Sequence, residues 1–264
     1  MKGRRPDRSR PMTNQAVPDN FSTYLTIPNA EERLKEALEV AQALTKAGIG
    51  LKVNLDHAAI FSDPPHLVAG PIKQLGYISG WDARCYPSPV DGQDYINVSG
   101  QLPHDSPQRE KGWPDYVAVV HPIDIAARDH MLSQGYGNPF IHHLTWGIIA
   151  PPREGADDFT YSQRLIDFMI TTRKTVQSAL GHTPGTLIIA LPQAVIDDPG
   201  FKRPQLPAGE FQVESMEGGG FLLQFFVLTG GRIELALRVE TSQTFNPKSV
   251  AKISRDEISA VQSD

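Results

Sequence analysis

Two histidines and a glutamate could together bind a metal, because each lies in a short apolar segment that predicts a β-strand. His57 lies in residues 55–61, His143 in residues 141–147 and Glu234 in residues 231–237. Two neutral imidazoles and one carboxylate on a rigid sheet can bind a divalent metal on one side and leave its other side open. Substrate and oxygen, or substrate and water, would bind at that open side.

Glu234 lies in a predicted hairpin whose second strand, residues 232–240, alternates apolar and polar side chains. We expect the apolar side to pack against a helix and the polar side to face a cup that holds the metal. Glu240 shares the polar side but lies six residues further along, so Glu234 is the preferred ligand. Arg238 is also on that side, where it could hold a substrate carboxylate or form an ion pair with Glu240 or Asp256. Three further polar residues could contact substrate or orient the imidazoles: Tyr95, Asn97 and Gln224.

The histidine next to His143 is the alternative ligand if the register of the strand differs by one residue. Because side chains alternate along a strand, His142 is predicted on the opposite side from His143, packed or hydrogen-bonded rather than bound to metal. The remaining histidines outside strands are expected at the surface, in helices or loops: His66, His104, His130 and His182.

The order of predicted elements repeats between the two halves of the chain. The first half contains a strand (55–61), a helix (66–75) and strands at 80–85, 95–101 and 116–120; the second contains a strand (141–148), a helix (161–180) and strands at 186–191, 221–228 and 232–240. A short helical link at 123–133 joins them. Each half therefore has the order strand–helix–strand–strand–strand, and each opening strand carries one of the two candidate histidines.

A helix precedes this repeat. Residues 30–46 form an amphipathic pattern, Asn29 is a candidate N-cap, and Glu32 lies at the capping-box spacing. Gly48 is suited to end the helix. The sequence leaves open whether this helix packs on its own chain or on a partner.

The overall composition indicates a soluble, intracellular protein rather than a nucleic-acid-binding or membrane protein. The 264 residues carry a formal charge of −5, and the sequence pI is about 5.9. No apolar run reaches the ~18 residues that a transmembrane helix needs. The lone cysteine, Cys85, suits a reducing compartment and is expected to be packed, because no activating partner is identifiable. We expect a cytoplasmic protein with a disordered basic tail at residues 1–20. A homodimer is a possible assembly.

The motifs resemble those of the vicinal-oxygen-chelate superfamily, which includes glyoxalases, methylmalonyl-CoA epimerases and extradiol dioxygenases. The resemblance lies in His57 within an opening strand, in a Gly-x-Gly link followed by His142-His143, and in a glycine turn leading into Ile-Glu-Leu around Glu234. It implies an α+β fold of two βαβββ modules that form a curved mixed sheet around a metal site, with an extra N-terminal helix. It also implies that His143 is the ligand of the histidine pair.

The resemblance covers residues 50–242, as modules 50–122 and 138–242, with residues 21–49 as an N-terminal helical extension and residues 243–264 as a C-terminal tail. Epimerases and glyoxalases of this superfamily carry a fourth ligand, Glu or Gln, in the last strand of the first module. The matching position here is Ala118, unless His121 or Asp115 substitutes for it. A three-ligand site leaves more positions free, which suits non-haem Fe(II) oxygen chemistry.

The resemblance and the residues together predict a metal-dependent oxidoreductase. We expect a non-haem Fe(II) dioxygenase that uses O2 and a small metal-chelating substrate, either catecholic (aromatic) or a 2-oxo acid. The alternatives are a lyase or isomerase of glyoxalase or epimerase type, with Mn, Co, Ni or Zn as Lewis acid, and a metal-free small-molecule binding protein on the same fold.

Overall fold

The computed structural model describes residues 27–77, 84–87, 94–103, 105–216, 220–228 and 232–240. The helices are α1 (Ala30–Lys46), α2 (His66–Gln74), α3 (Pro107–Glu110), α4 (Ile125–Ser133), α5 (Asp158–Leu180) and α6 (Gln193–Ile196). The strands are β1 (Leu51–Phe61), β2 (Arg84–Pro87), β3 (Asp94–Gln101), β4 (Tyr116–Pro122), β5 (Phe140–Ile148), β6 (Leu187–Leu191), β7 (Phe211–Ser215), β8 (Gly220–Leu228) and β9 (Arg232–Glu240). The two predicted tails lie outside the described residues.

The described strands form one mixed sheet in the order β2-β3-β4-β1-β5-β9-β8-β6-β7. At its centre β1 and β5 are antiparallel, and each pairs on its other side, in parallel, with the last strand of its own half, β4 or β9. The two halves therefore repeat the same arrangement about the β1–β5 pair. This confirms the predicted α+β fold of two βαβββ modules, while the exact domain limits along the chain stay a prediction.

One strand was not predicted. The second module carries β7 at its edge, parallel to β6, with Leu187 opposite Phe211. Its five residues are half-buried or exposed, so they show no strong apolar pattern. The edge of the second module is thus extended by one strand relative to the predicted repeat.

The two sides of the sheet differ in what covers them. The larger core lies on one side, between the sheet and the helices, and contains residues such as Leu55, Leu144 and Leu235. A smaller cluster on the other side, which we call the cup, consists of Ala59, Phe61, Ala118, Val120, Met131 and Phe140. Among the described helices, none is both long and apolar enough to cross a bilayer.

Helix α1 packs on the second module of its own chain, which answers the question that the sequence left open. The indole N–H of Trp146 donates to the Ala37 carbonyl over 2.9 Å. Asn29 does not cap the helix with its side chain, contrary to prediction; its amide instead exchanges two hydrogen bonds with the backbone of Ile141 at 2.8 and 3.2 Å. Gly48 follows the helix end with φ of +87°, as its predicted role as a stop requires.

Because α1 belongs to the main core, we expect Leu44→Ala to destabilise the protein. Leu44 is fully buried between α1 and the sheet, so its truncation should lower the free energy of unfolding by about 2–5 kcal/mol. Urea unfolding followed by circular dichroism would measure this, with the exposed Glu39→Ala on the same helix as control. A loss no larger than that of the control would mean that α1 is only loosely attached.

Candidate metal centre

His57, His143 and Glu234 come from three adjacent strands at the middle of the sheet, β1, β5 and β9. The Nε2 atoms of the two histidines are 3.1 Å apart. The Oε2 atom of Glu234 is 3.3 Å from the Nε2 of His57 and 3.4 Å from that of His143. Each of the three offers a ligand atom, and these atoms lie within 4.8 Å of one another. The three predicted ligands therefore point to the same side of the sheet.

These separations fit a single divalent ion. Donor–metal distances of about 2.0–2.2 Å place neighbouring donors about 2.8–3.6 Å apart in octahedral or tetrahedral geometry. The three measured separations fall inside that interval. Two imidazole nitrogens and one carboxylate oxygen also match the donor set that Fe(II), Mn, Co, Ni and Zn accept. The residues present are thus suited to hold such a metal.

A bulge in β1 brings a carboxylate next to the first histidine. Leu55 pairs with Trp146 and His57 pairs with Thr145, so Asp56 is an extra residue in the ladder. Asp56 and His57 consequently project to the same side, and the Asp56 carboxylate accepts a hydrogen bond from Nδ1 of His57 over 3.0 Å. This contact leaves Nε2 of His57 directed at Glu234.

A second bulge, in β5, corrects the prediction for His142. Ala59 pairs with His143 and Ile60 pairs with Ile141, so His142 is the extra residue of this strand. It therefore lies on the same side as His143 rather than the opposite one, and its Nδ1 is 2.8 Å from the Nδ1 of His143. His142 contacts the candidate ligand but is not one of the three converging residues.

Burial and mutual contact shift the pKa values of all three residues. Burial raises the pKa of Glu234, but hydrogen bonds from His143 and His57 outweigh it and hold that pKa well below its usual value. Burial also lowers the pKa of His143. Burial tends to lower the pKa of His57 too, yet the carboxylates of Asp56 and Glu234 raise it overall. Because a metal and a proton compete for the same nitrogen of His57, metal affinity should fall as the pH falls.

Three further residues that sequence analysis did not identify hold these ligands in place. The Thr145 hydroxyl donates to Oε2 of Glu234 over 2.7 Å. The Tyr116 ring stacks on the His57 imidazole, with centroids 4.5 Å apart, and the Phe226 ring meets His143 edge-on at 5.4 Å. The alternation of side chains could have placed Thr145 beside His143, but the two ring contacts depend on pairing between distant strands.

The internal repeat places Ala118 at the position equivalent to that of Glu234. Thr145, two residues after His143, pairs with Glu234; Ala59, two residues after His57, pairs with Ala118. Ala118 is thus the first-module counterpart of Glu234 and lies buried in the cup. His121 does not substitute: it is absent from the converging group, and its Nδ1 lies 3.2 Å from the Ser62 carbonyl.

The predicted substrate-binding residues lie in different surroundings. Arg238 donates from Nε to Asp56 over 3.2 Å, whereas the side chains of Glu240 and Asp256, its predicted partners, lie outside the described part of the structure. Gln224 is buried two residues along β8 from Phe226, the residue that pairs with Glu234. Tyr95 and Asn97 lie in β3, but their side chains are outside the described part of the structure. Contact of any of the four with substrate stays a prediction.

We expect Asp56→Asn to weaken metal binding without removing it. Asp56 orients His57 and is itself fixed by Arg238, and residues that orient a ligand typically contribute 10- to 100-fold to metal affinity. Competition with a chromogenic chelator would measure the dissociation constant. Asp167→Asn, at an exposed position on α5, is the control. Equal affinities in both variants would show that Asp56 does not orient the ligand.

Comparisons with known proteins show similar structures but no significant match to a protein-family model or to a curated protein sequence. Methylmalonyl-CoA epimerase from Mycobacterium tuberculosis is 14% identical with a TM-score of 0.37, over 70% of this chain and 87% of that one. A variant of 4-hydroxymandelate synthase from Streptomyces coelicolor is 14% identical with a TM-score of 0.33, over 73% of this chain and 50% of that one. A fusion of a xylose isomerase-like TIM barrel with 4-hydroxyphenylpyruvate dioxygenase is 12% identical with a TM-score of 0.33, over 81% of this chain and 30% of that one.

Proposed function

We propose that this protein is a non-haem Fe(II)-dependent dioxygenase that acts on a small organic substrate chelating the metal through neighbouring oxygens. The observation that carries the proposal is the combination of three converging donors, His57, His143 and Glu234, with Ala118 at the place of a fourth. A methyl side chain cannot coordinate a metal. Three protein ligands leave room for a bidentate substrate and for oxygen, as oxygenase chemistry requires.

The surroundings of the site support an aromatic or 2-oxo acid substrate. On the first-module side, Ala59, Phe61 and Ala118 form an apolar wall, and Phe140 stacks on Phe61 with centroids 5.0 Å apart. Small side chains next to the metal leave space, and aromatic rings further out can contact a flat substrate. The chelating oxygens would supply the specificity that the apolar wall lacks.

The protein residues would position the reactants, while the bound metal would supply Lewis acidity and electron transfer. Thr145 restrains the Glu234 carboxylate, and Asp56 restrains the His57 imidazole. Tyr116 and Phe226 each pack against one of the two imidazole rings and restrain it. The ligands therefore stay fixed while the open side exchanges substrate and product.

A metal-dependent lyase or isomerase would use the same three donors but would also need a base near the metal. Among the described residues, the converging group holds no second carboxylate. Asp56, the next carboxylate, is engaged by His57 and Arg238. The engagement of this carboxylate supports the proposal of a dioxygenase over this alternative.

The test is metal analysis of protein purified without a metal-chelating tag, followed by oxygen-electrode assays with catechols and 2-oxo acids. We expect about one iron per chain and substrate-dependent oxygen uptake that ceases after chelator treatment and returns with Fe(II). Another divalent metal without oxygen uptake would indicate a lyase or isomerase. No metal binding at all would indicate a binding protein on this fold.

A further inference from the structure

A cavity of about 320 Å³ opens at the end of the sheet where β5 and β9 begin. Its lining combines two guanidinium groups with apolar and aromatic side chains, among them Arg33, Tyr136, Phe140, His142, Leu228 and Arg232. The three candidate metal ligands do not line it, but His142 contacts His143 directly. The cavity is therefore a neighbour of the metal centre, separated from it by one imidazole ring.

Arg232 gives this cavity a positive charge. Its Nη1 donates to Nε2 of His142 over 3.0 Å, and among the residues that the structure describes no carboxylate forms an ion pair with it. Glu234, two residues along the same strand face, is engaged by the two imidazoles and Thr145. The described partner of Arg232 is thus an imidazole rather than a carboxylate.

Arg33 contributes little net charge but shapes the opposite wall. Its Nη1 donates to Glu36 over 2.8 Å, which offsets its charge. Its guanidinium also lies over the Tyr136 ring, 5.3 Å from the centroid, and Tyr136 packs against Phe140 at 5.5 Å. The cavity therefore combines an aromatic wall with one uncompensated cation, an arrangement suited to an organic acid.

We propose that this cavity binds a carboxylate carried by the same molecule that chelates the metal. The inference deepens the proposed function, because it takes the position of the chelating oxygens from it. A single carboxylate matches the planar donor set of Arg232 and would offset its charge. The preferred substrate is accordingly bifunctional, with neighbouring oxygens at one end and an acid group at the other.

The histidine pair links the cavity to the metal centre. Nδ1 of His142 lies 2.8 Å from Nδ1 of His143, and Nε2 of His142 lies 3.0 Å from Nη1 of Arg232. Arg232 is therefore connected to a candidate metal ligand through a single side chain. Because one molecule would contact both Arg232 and the metal, acid binding and metal binding should favour each other.

The test compares catechol with three catechols that bear a carboxylate on tails of increasing length: 3,4-dihydroxybenzoate, 3,4-dihydroxyphenylacetate and 3-(3,4-dihydroxyphenyl)propanoate. A second pair consists of 2-oxoglutarate, which has an additional carboxylate, and pyruvate, which lacks it. Dissociation constants are measured anaerobically by calorimetry on metal-loaded and metal-free protein. We expect at least one carboxylate-bearing probe to bind wild type roughly 10- to 100-fold more tightly than its parent, the range of one hydrogen-bonded charge pair.

Arg232→Gln should abolish that preference and leave the affinity for catechol, pyruvate and the metal within about threefold of wild type. Arg232→Lys, which keeps the charge, should restore part of it. Arg164→Gln, on the exposed side of α5, is the matched control and should change nothing. The preference should be larger in metal-loaded than in metal-free protein, because the coupling is reciprocal.

Several results would overturn the proposal: no preference in wild type, no binding of any probe, or equal weakening of parent and acid probes by Arg232→Gln. Inorganic phosphate that binds as tightly as the best acid probe would mean a separate anion site. Failure of the proposed function looks different. In that case no metal binds, yet the acid probes still bind metal-free wild type more tightly than Arg232→Gln.

Discussion

Replacing His143 by alanine should lower metal affinity more than about 100-fold and abolish stoichiometric loading. The reason is geometric, since His143 supplies one of three donors that lie 3.1–3.4 Å apart, and loss of a ligand exceeds the 10- to 100-fold effect of residues that merely orient one. Metal content after dialysis and a chelator-competition dissociation constant would measure it. Added imidazole should restore part of the binding by occupying the vacated place.

The neighbouring histidine provides the control. His142→Ala removes the ring that contacts Nδ1 of His143 but no converging donor, so metal binding should weaken by about 100-fold at most and loading should persist at high metal concentration. Far-ultraviolet circular dichroism should be unchanged in both variants. Retention of metal by His143→Ala together with its loss from His142→Ala would mean that the bulge in β5 presents the wrong ring to the metal.

Replacing Ala118 by glutamate should tighten metal binding and reduce oxygen uptake by about 100-fold or more. Ala118 is the counterpart of Glu234 in the first module, so a carboxylate there should reach the metal and fill one of the positions left open. The larger side chain must enter the cup cluster and could cost about 1–3 kcal/mol of stability. Metal affinity and oxygen consumption measured on the same sample separate ligand donation from misfolding.

Ala118→Val is the matched control, because it adds bulk in the same place without a donor atom. It should leave the metal dissociation constant unchanged and affect oxygen uptake far less than the glutamate does. Oxygen uptake that survives Ala118→Glu with metal bound would contradict the assignment of this position as open. Equal losses of activity in both variants would indicate crowding rather than coordination.

Much of the fold was predictable because local patterns and tertiary packing agree. The apolar stripe of α1 predicted its limits, and the alternation in β9 predicted both the strand and the face of Glu234. The exceptions depend on contacts with residues that are distant in sequence. Asn29 bonds the backbone of β5 rather than its own helix, and β7 forms because β6 offers it an edge. Neither partner lies near in sequence.

The three converging residues of the candidate site were predictable because each lies at the same kind of place in a strand. Their orienting contacts were not, since they depend on two bulges that shift the register. Regular alternation placed His142 on the wrong side, and it could not show that Asp56 would reach Nδ1 of His57 or bind Arg238. Register is a property of paired strands, so one strand's sequence does not determine it.

The two bulges bear on how this chain could tolerate deletions. Loss of one residue from a central strand ordinarily turns every following side chain to the wrong face. Asp56 and His142 are each supernumerary in the ladder, so an in-frame deletion of either codon would restore regular pairing and leave His57 and His143 on the cup side. The apolar side chains of each strand would stay in the main core, and only the side chain that contacts one imidazole, Asp56 or His142, would be lost. The site could thus have acquired these partners by single-codon insertions, each without rebuilding the sheet.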